Sequence, residues 1–207
     1  MPIDLAAITR PEHTVLFTSE CQRSVVGDLT LLRELADAAG PALVNIARLA
    51  TAARGAGVQV MHAVYLPRPD GKGTSQNTRM AAAIRRRQSE AGGTPDTVAA
   101  AEVVAPITVE DADIVVSRMH GMSPTHETGV DPILRNLGTK TLVLTGVSLN
   151  VAIPNITMDA VNKGYTVVIP RDAVAGVPAA YGEAMLDNTL SVLAYLTTTQ
   201  ELVDLWT

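Results

Sequence analysis

The sequence has little of what commonly announces a function. A single cysteine, Cys21, stands among 207 residues, which excludes an internal disulfide and suits a reducing compartment. Aromatic residues make up only 3% of the chain, so its core must be aliphatic, built from Val, Leu, Ile and Ala. No run approaches 18 uninterrupted apolar residues, so no membrane span is expected. The opening MPIDLAAITRPEH has neither the basic nor the apolar region of a secretory signal. The cytoplasm is the expected location. Positive charge is also short: the formal net charge of −5 argues against non-specific nucleic-acid binding, which needs many phosphates neutralised. One basic run, Arg85-Arg86-Arg87, lies in a polar stretch and reads as a solvated helix face.

Cofactor and metal signatures are missing as well. The four histidines are His13, His62, His120 and His126, and no companion residues complete a ligand set with metal spacing. Asp70-Gly71-Lys72-Gly73-Thr74 is too short for a phosphate-binding loop and does not bridge a strand to a helix. No G-x-S-x-G elbow occurs. Neither a metal nor a cofactor is expected.

What is present is a core and a rhythm. Hydrophobic residues make up 47% of the chain and charged residues 18%, enough for one three-layer unit. Short apolar runs at 14–19 (TVLFTS), 58–64 (VQVMHAV), 113–117 (DIVVS), 140–147 (KTLVLTGV) and 166–170 (TVVIP) read as strands, with a shorter sixth at 194–197. Several are apolar at consecutive positions, as strands buried on both faces are. Helical patterns fall between them at 29–54, 77–90, 130–136, 151–162 and 181–193, the first expected to break near Gly40-Pro41. Gly55, Gly57, Gly138 and Gly164 sit where helix C-caps belong. The alternation predicts right-handed crossovers and a doubly wound α/β sheet of about six parallel strands. Helices would cover both faces, in one domain spanning 1–207. Ligands in such sheets bind beyond the carboxyl ends of the strands.

Three strand ends therefore carry the candidates. The first runs into Ser19-Glu20-Cys21-Gln22, placing a carboxylate at the sheet edge. The 113–117 strand is followed by Arg118 and His120. The 140–147 strand runs into Val147-Ser148-Leu149-Asn150-Val151-Ala152, a small-residue turn opening a helix whose free N–H groups suit an anion or oxyanion. Each also has a plain structural reading: a turn carboxylate, an ion pair, a buried cysteine.

Three segments in this order resemble the isochorismatase-like (cysteine hydrolase) superfamily. The most specific is 139–175 (TKTLVLTGVSLNVAIPNITMDAVNKGYTVVIPRDAVA); VLFTSECQ is similar to the family's LLVIDMQ, and IVVSRMHGMS to its VVxKxxxSAF. The resemblance implies a three-layer sheet and a homo-oligomer, for which the apolar helix 151–161, with Ile153, Ile156 and Met158, offers surface. In amidase members a Cys thiolate attacks a carbonyl, an Asp moves the proton, and a Lys supports the charge. Backbone N–H groups beside a cis peptide hold the oxyanion. On this sequence the Asp position is Glu20, the Lys position Arg118 and the Cys position Ala152, with the cis peptide between Val147 and Ser148. Gln22, His120 and Asn150 are the candidate substrate contacts.

All three positions of the triad are changed, and each change has a consequence. Ala152 has no nucleophile. Arg118 keeps a positive charge but cannot release its proton, so it can clamp an anion. Glu20 keeps the acid on a longer stem. Isochorismatases proper also lack the Cys but keep the Lys and a different turn, and the D-x-H…H metal pattern of nicotinamidases is absent from 61–67. Three readings follow: a hydrolase or lyase of a small anionic metabolite with Glu20 as acid or base and Arg118 as clamp; a non-catalytic binder in the inherited pocket; or an amidase using Cys21 or Ser148. They turn on Glu20's ionisation, which Arg118 would pull down and an apolar setting would push up.

Overall fold

A computed structural model of the chain describes residues 3–93 and 96–207. Its helices are α1 (Leu5–Ile8), α2 (Arg23–Val26), α3 (Arg33–Ala56), α4 (Arg79–Glu90), α5 (Thr97–Ala101), α6 (Val130–Asn136), α7 (Ala152–Asn162), α8 (Ala179–Asn188) and α9 (Thr199–Trp206). The strands are β1 (Thr14–Ser19), β2 (Gln59–Tyr65), β3 (Ile114–Arg118), β4 (Thr141–Val147), β5 (Thr166–Pro170), β6 (Val174–Ala175) and β7 (Tyr195–Thr197). They form one sheet in the order β3-β2-β1-β4-β5-β7, with the two-residue β6 beside β4, and every pairing is parallel. No helix among the described residues is long and apolar enough to cross a membrane.

The consecutive apolar runs have the expected cause. β1 and β4 lie at the centre of the sheet and are buried at every position. On one face, Leu16, Val60, Val143 and Val168 pack with Leu43, Ile46 and Leu49 of α3 and Trp206 of α9. On the other, Phe17, Met61, Leu144 and Ile169 pack with Ile153 and Ile156 of α7 and Leu186 of α8. Burying each such side chain contributes about 1.5–3 kcal/mol, and with so few aromatics these aliphatic layers are what hold the helices to the sheet. β3 lies at one edge, and its alternating burial follows from having only one neighbouring strand to share the core with.

Three expectations needed correction. α3 does not break at Gly40-Pro41 but runs unbroken from Arg33 to Ala56, with Gly55 inside it and only Gly57 capping it in the left-handed conformation. Pro41 is exposed, so its ring lies on the outer surface of the helix, while Ala39, Leu43, Ile46 and Ala53 are buried and keep the helix on the sheet. That burial outweighs the proline penalty of about 3 kcal/mol. The pattern expected at 181–193 is divided into α8, ending at Asn188, and a 3-10 turn at Leu190–Val192. Of the apolar residues on α7, Ile153 and Ile156 are spent within the chain's own core, leaving Met158 and Val161 outside. α9 was not foreseen, although Thr198 and Glu201 form a capping box at its start.

Candidate active site at the carboxyl edge of the sheet

The ends of β1 and β4 form the floor of the site. Ser19 pairs with Gly146, whose φ of +101° and lack of a Cβ allow the strands to meet, since a Cβ there would overlap the Ser19 carbonyl oxygen. The Ser19 hydroxyl donates to the Val147 carbonyl at 2.8 Å, tying the two chain turns together. Glu20 follows in the left-handed backbone region at φ +52°, a conformation that costs a non-glycine residue roughly 1–2 kcal/mol. Its N–H donates to the Ala63 carbonyl at 2.9 Å, one of the bonds that hold it there. Local strain kept in place by surrounding bonds is a feature of functional positions.

Beyond β4, the Val147–Ser148 peptide is cis. In the turn that follows, the Leu149 N–H donates to the Ala175 carbonyl, and those of Val151 and Ile153 donate to the Ser148 carbonyl. Among the described residues the N–H of Ala152, the first residue of α7, meets no acceptor. It is an unspent donor at the positive end of a helix.

Glu20 and Arg118 meet although 98 residues separate them, with Arg118 Nη2 donating to Glu20 Oε1 at 2.6 Å. The side chain of Arg118 is 5% exposed and that of Glu20 18%. Arg118 Nε and Nη1 are buried without any acceptor, so the guanidinium is only partly satisfied. Its carbon lies 5.3 Å from the centroid of the Tyr65 ring, within cation–π range. Burial pushes the Glu20 carboxyl above its ordinary value, against the opposing charge and hydrogen bond of Arg118. Of the two environments the sequence left open, desolvation outweighs the ion pair.

Gln22 acts behind this pair. It is wholly buried: its Nε2 donates to the carbonyls of Tyr65 and Ala100 and to the Ser24 hydroxyl, and its Oε1 accepts from the Tyr65 N–H at 2.6 Å. Both polar atoms of the Gln22 side chain are thus used within the chain, and it fixes the backbone of Tyr65 rather than reaching a ligand. His120 does not line the cavity either. Cys21 faces the α3 side of the sheet, and burial, then the Glu20 charge, pushes its thiol up to about 12, which disfavours the thiolate a nucleophile needs.

A cavity of about 840 Å³ opens over these strand ends, within the size range of ligand sites. Glu20, Arg118, Val147, Ser148, Asn150 and Ala152 line it, so the residues from three separate strand ends converge as their positions required. Tyr65, the loop 67–76, the start of α3 and one face of α4 complete the wall. Sequence reasoning passes over Tyr65, though its place at the end of a strand is the signal that would find it. Nothing local in the sequence points to α3 or α4. Among the described residues, no three His, Cys, Asp or Glu side chains gather as a metal-holding set.

The fold has counterparts among known proteins. The fold matches a cysteine hydrolase from Pseudomonas syringae pv. phaseolicola with a TM-score of 0.77 at 22% identity, covering 100% of this chain and 95% of that one. It also matches N-carbamoylsarcosine amidase from Thermoplasma acidophilum with a TM-score of 0.70 at 20% identity, covering 90% and 96%. In sequence, the chain is 32% identical over 185 residues to a ureidoacrylate amidohydrolase of Methylorubrum extorquens, covering 81% of this chain and 73% of the relative. Residues 14–201 match the isochorismatase domain, and the chain belongs to that family of hydrolases.

Proposed function

We propose that the protein hydrolyses a small anionic metabolite, with Glu20 moving the proton and no covalent intermediate at position 152. The observation that carries this reading is the content of the cavity: an acid, a partly satisfied cation and a free helix N–H, with a methyl group where the family resemblance places a thiol. Water must then attack directly. Its oxygen bonds to the substrate carbonyl carbon while Glu20 takes its proton. The developing oxyanion is stabilised by the Ala152 N–H and the charge of Arg118. As the C–N bond breaks, Glu20 returns the proton to the leaving nitrogen, giving acid and amine and restoring the carboxylate. A carboxyl that burial raises above its ordinary value holds the proton better for the return transfer. The ureidoacrylate amidohydrolase relative supports trying ureido and amide groups near a carboxylate first.

The test is a panel containing ureidoacrylate, N-carbamoylsarcosine and simple amide acids, followed by acid-quenched intact-protein mass spectrometry. Turnover without an acyl adduct, retained in Ser148→Ala, is the expected result. An adduct on Ser148 would overturn the direct-water reading. The 2.6 Å contact that ties Glu20 to Arg118 favours a second reading, a binding protein with a static ion pair. Saturable binding of panel members with no turnover would select it.

A further inference from the structure

The Arg85-Arg86-Arg87 run has no part in that reaction, and the structure divides it. Arg86 points away to Glu90, with Nε 3.6 Å from Oε1. Arg85 and Arg87 line the cavity from α4, and Arg33 lines it from the first turn of α3. All three are exposed, so they stand where the cavity opens to solvent. Arg87 Nη1 donates to the Leu31 carbonyl and Arg85 to the Gln76 side chain.

The charge balance around the cavity is uneven. Arg118 is countered by Glu20, and Arg68 is held by both oxygens of Asp70 at 3.0 and 2.9 Å. Among the described residues, Arg33, Arg48, Arg79, Arg85 and Arg87 meet no carboxylate within 4.0 Å, and Arg33, Arg85 and Arg87 face this one cavity. Only Glu34 opposes them there. The unneutralised charge therefore lies at the opening, while the inner end is paired. Apolar side chains from the same two helices and the turn before α3 also line the cavity. Leu31, Leu35, Met80 and Ile84 line the cavity without being buried, and α4 buries no residue anywhere along its length. A twelve-residue helix with its apolar residues uncovered on a cavity has them available to a ligand.

We propose that Arg33, Arg85 and Arg87 form an outer subsite that holds the carboxylate of an elongated ligand whose apolar body lies along Leu31, Leu35, Met80 and Ile84. Guanidinium groups suit this role because their planar donors match a carboxylate two at a time. The placement uses the hydrolase reading only to say which end of the ligand lies near Glu20. It differs from a clamp at Arg118, because the anion is recognised at the opening.

Isothermal titration with 4-phenylbutyrate and its neutral counterpart 4-phenylbutan-1-ol tests this without knowledge of the substrate. The acid is expected to bind more tightly than the alcohol. The Arg85→Gln/Arg87→Gln double variant should weaken the acid roughly tenfold or more and leave the alcohol unchanged, while Arg86→Gln changes neither. Both substitutions lie on an exposed face, and circular dichroism checks the fold. Equal binding of acid and alcohol, failure of both to bind at millimolar concentration, or an equal loss in Arg86→Gln would overturn the subsite. Glu20→Gln separates it from the inner site. Removing that charge unmasks Arg118, so tighter binding of the acid would seat the carboxylate inside and sink this proposal while leaving the hydrolase reading in place. Unchanged affinity is the expected result.

Discussion

Two buried ion pairs sit in the same sheet, at opposite ends of β3, and they are built differently. At the amino end Asp113, with a side chain 1% exposed, accepts from Arg54 Nε and Nη2 at 3.2 and 2.6 Å and from the Glu110 N–H at 2.8 Å, and lies 3.2 Å from His62 Nε2. His62 Nδ1 in turn lies 2.8 Å from the Thr18 hydroxyl. Burial pushes the Asp113 carboxyl up, but the hydrogen bonds from Arg54, Glu110 and His62 outweigh it and hold the group below its ordinary value. At the carboxyl end Glu20 has one Arg118 contact, two guanidinium nitrogens go unmet, and burial wins. A fully satisfied pair holds structure in place, and an under-satisfied one keeps capacity for a ligand and a proton. The proposed hydrolysis uses the second.

The contrast is tested first by exchanging the roles of activity and stability. Glu20→Gln should lower turnover by roughly 10²–10⁴-fold, the usual contribution of an acid–base group, with a small change in melting temperature. Asp113→Asn should do the reverse. It strips the charge from beneath Arg54 and should cost about 3 kcal/mol in urea unfolding, with kcat per folded molecule preserved. If Asp113→Asn removed activity without destabilising the fold, the two pairs would have to change places.

The pH dependence sharpens the same comparison. Asp113 is depressed in the folded state, so its contribution is complete above its ordinary value of 3.8 and is lost as pH falls through the lower folded value. Burial lowers His62 despite Asp113, so its contribution is complete above 6.5 and is lost as pH falls below that. Glu20 has the opposite sign: its raised carboxyl adds stability at low pH that disappears as pH rises through the folded value. Carbon-13 NMR of labelled Asp and Glu should therefore find the Glu20 midpoint above 4.5 and that of Asp113 below 3.8. Arg118→Gln should move Glu20 higher still. A Glu20 midpoint at or below its ordinary value would make the pair at the site a structural one like its counterpart.

The smallest effect expected is at Tyr65. Its ring supports the Arg118 guanidinium, an interaction worth about 0.5–1 kcal/mol, so Tyr65→Leu should loosen that guanidinium and move the Glu20 midpoint slightly upward. Tyr65→Phe keeps the ring and should leave the midpoint in place. Equal shifts in both variants would assign the effect to the hydroxyl instead.

Much of the fold was legible because burial leaves a periodic trace. β1 and β5 begin and end where their apolar runs do, and β2, β3 and β4 differ from theirs by a single residue at one end or both. No break occurs at Pro41 because propensity is local, whereas α3 is held by α9 and by strands from distant parts of the chain. The short β6 was missed because two residues carry no period. At the site, Glu20, Arg118 and the Ser148–Ala152 turn were legible as strand ends, since a parallel sheet gathers its carboxyl ends on one side. Gln22 misled as a ligand contact because a polar side chain next to a catalytic position does not disclose which way it faces.

The sequence alone determined the aliphatic core, the parallel sheet, and the presence of an acid, a cation and a methyl group at the three critical strand ends. The core and the sheet follow from residue type and period, which need no partner to be read, and the resemblance to the family implied which three positions matter. Only the tertiary structure decided that burial outweighs Arg118 at Glu20, that Cys21 faces away, and that two members of an arginine triplet turn to the cavity while the third turns to Glu90. Each of these depends on what lies within a few ångströms from elsewhere in the chain. Charge, desolvation and direction are properties of that surrounding, and spacing along the chain does not encode them.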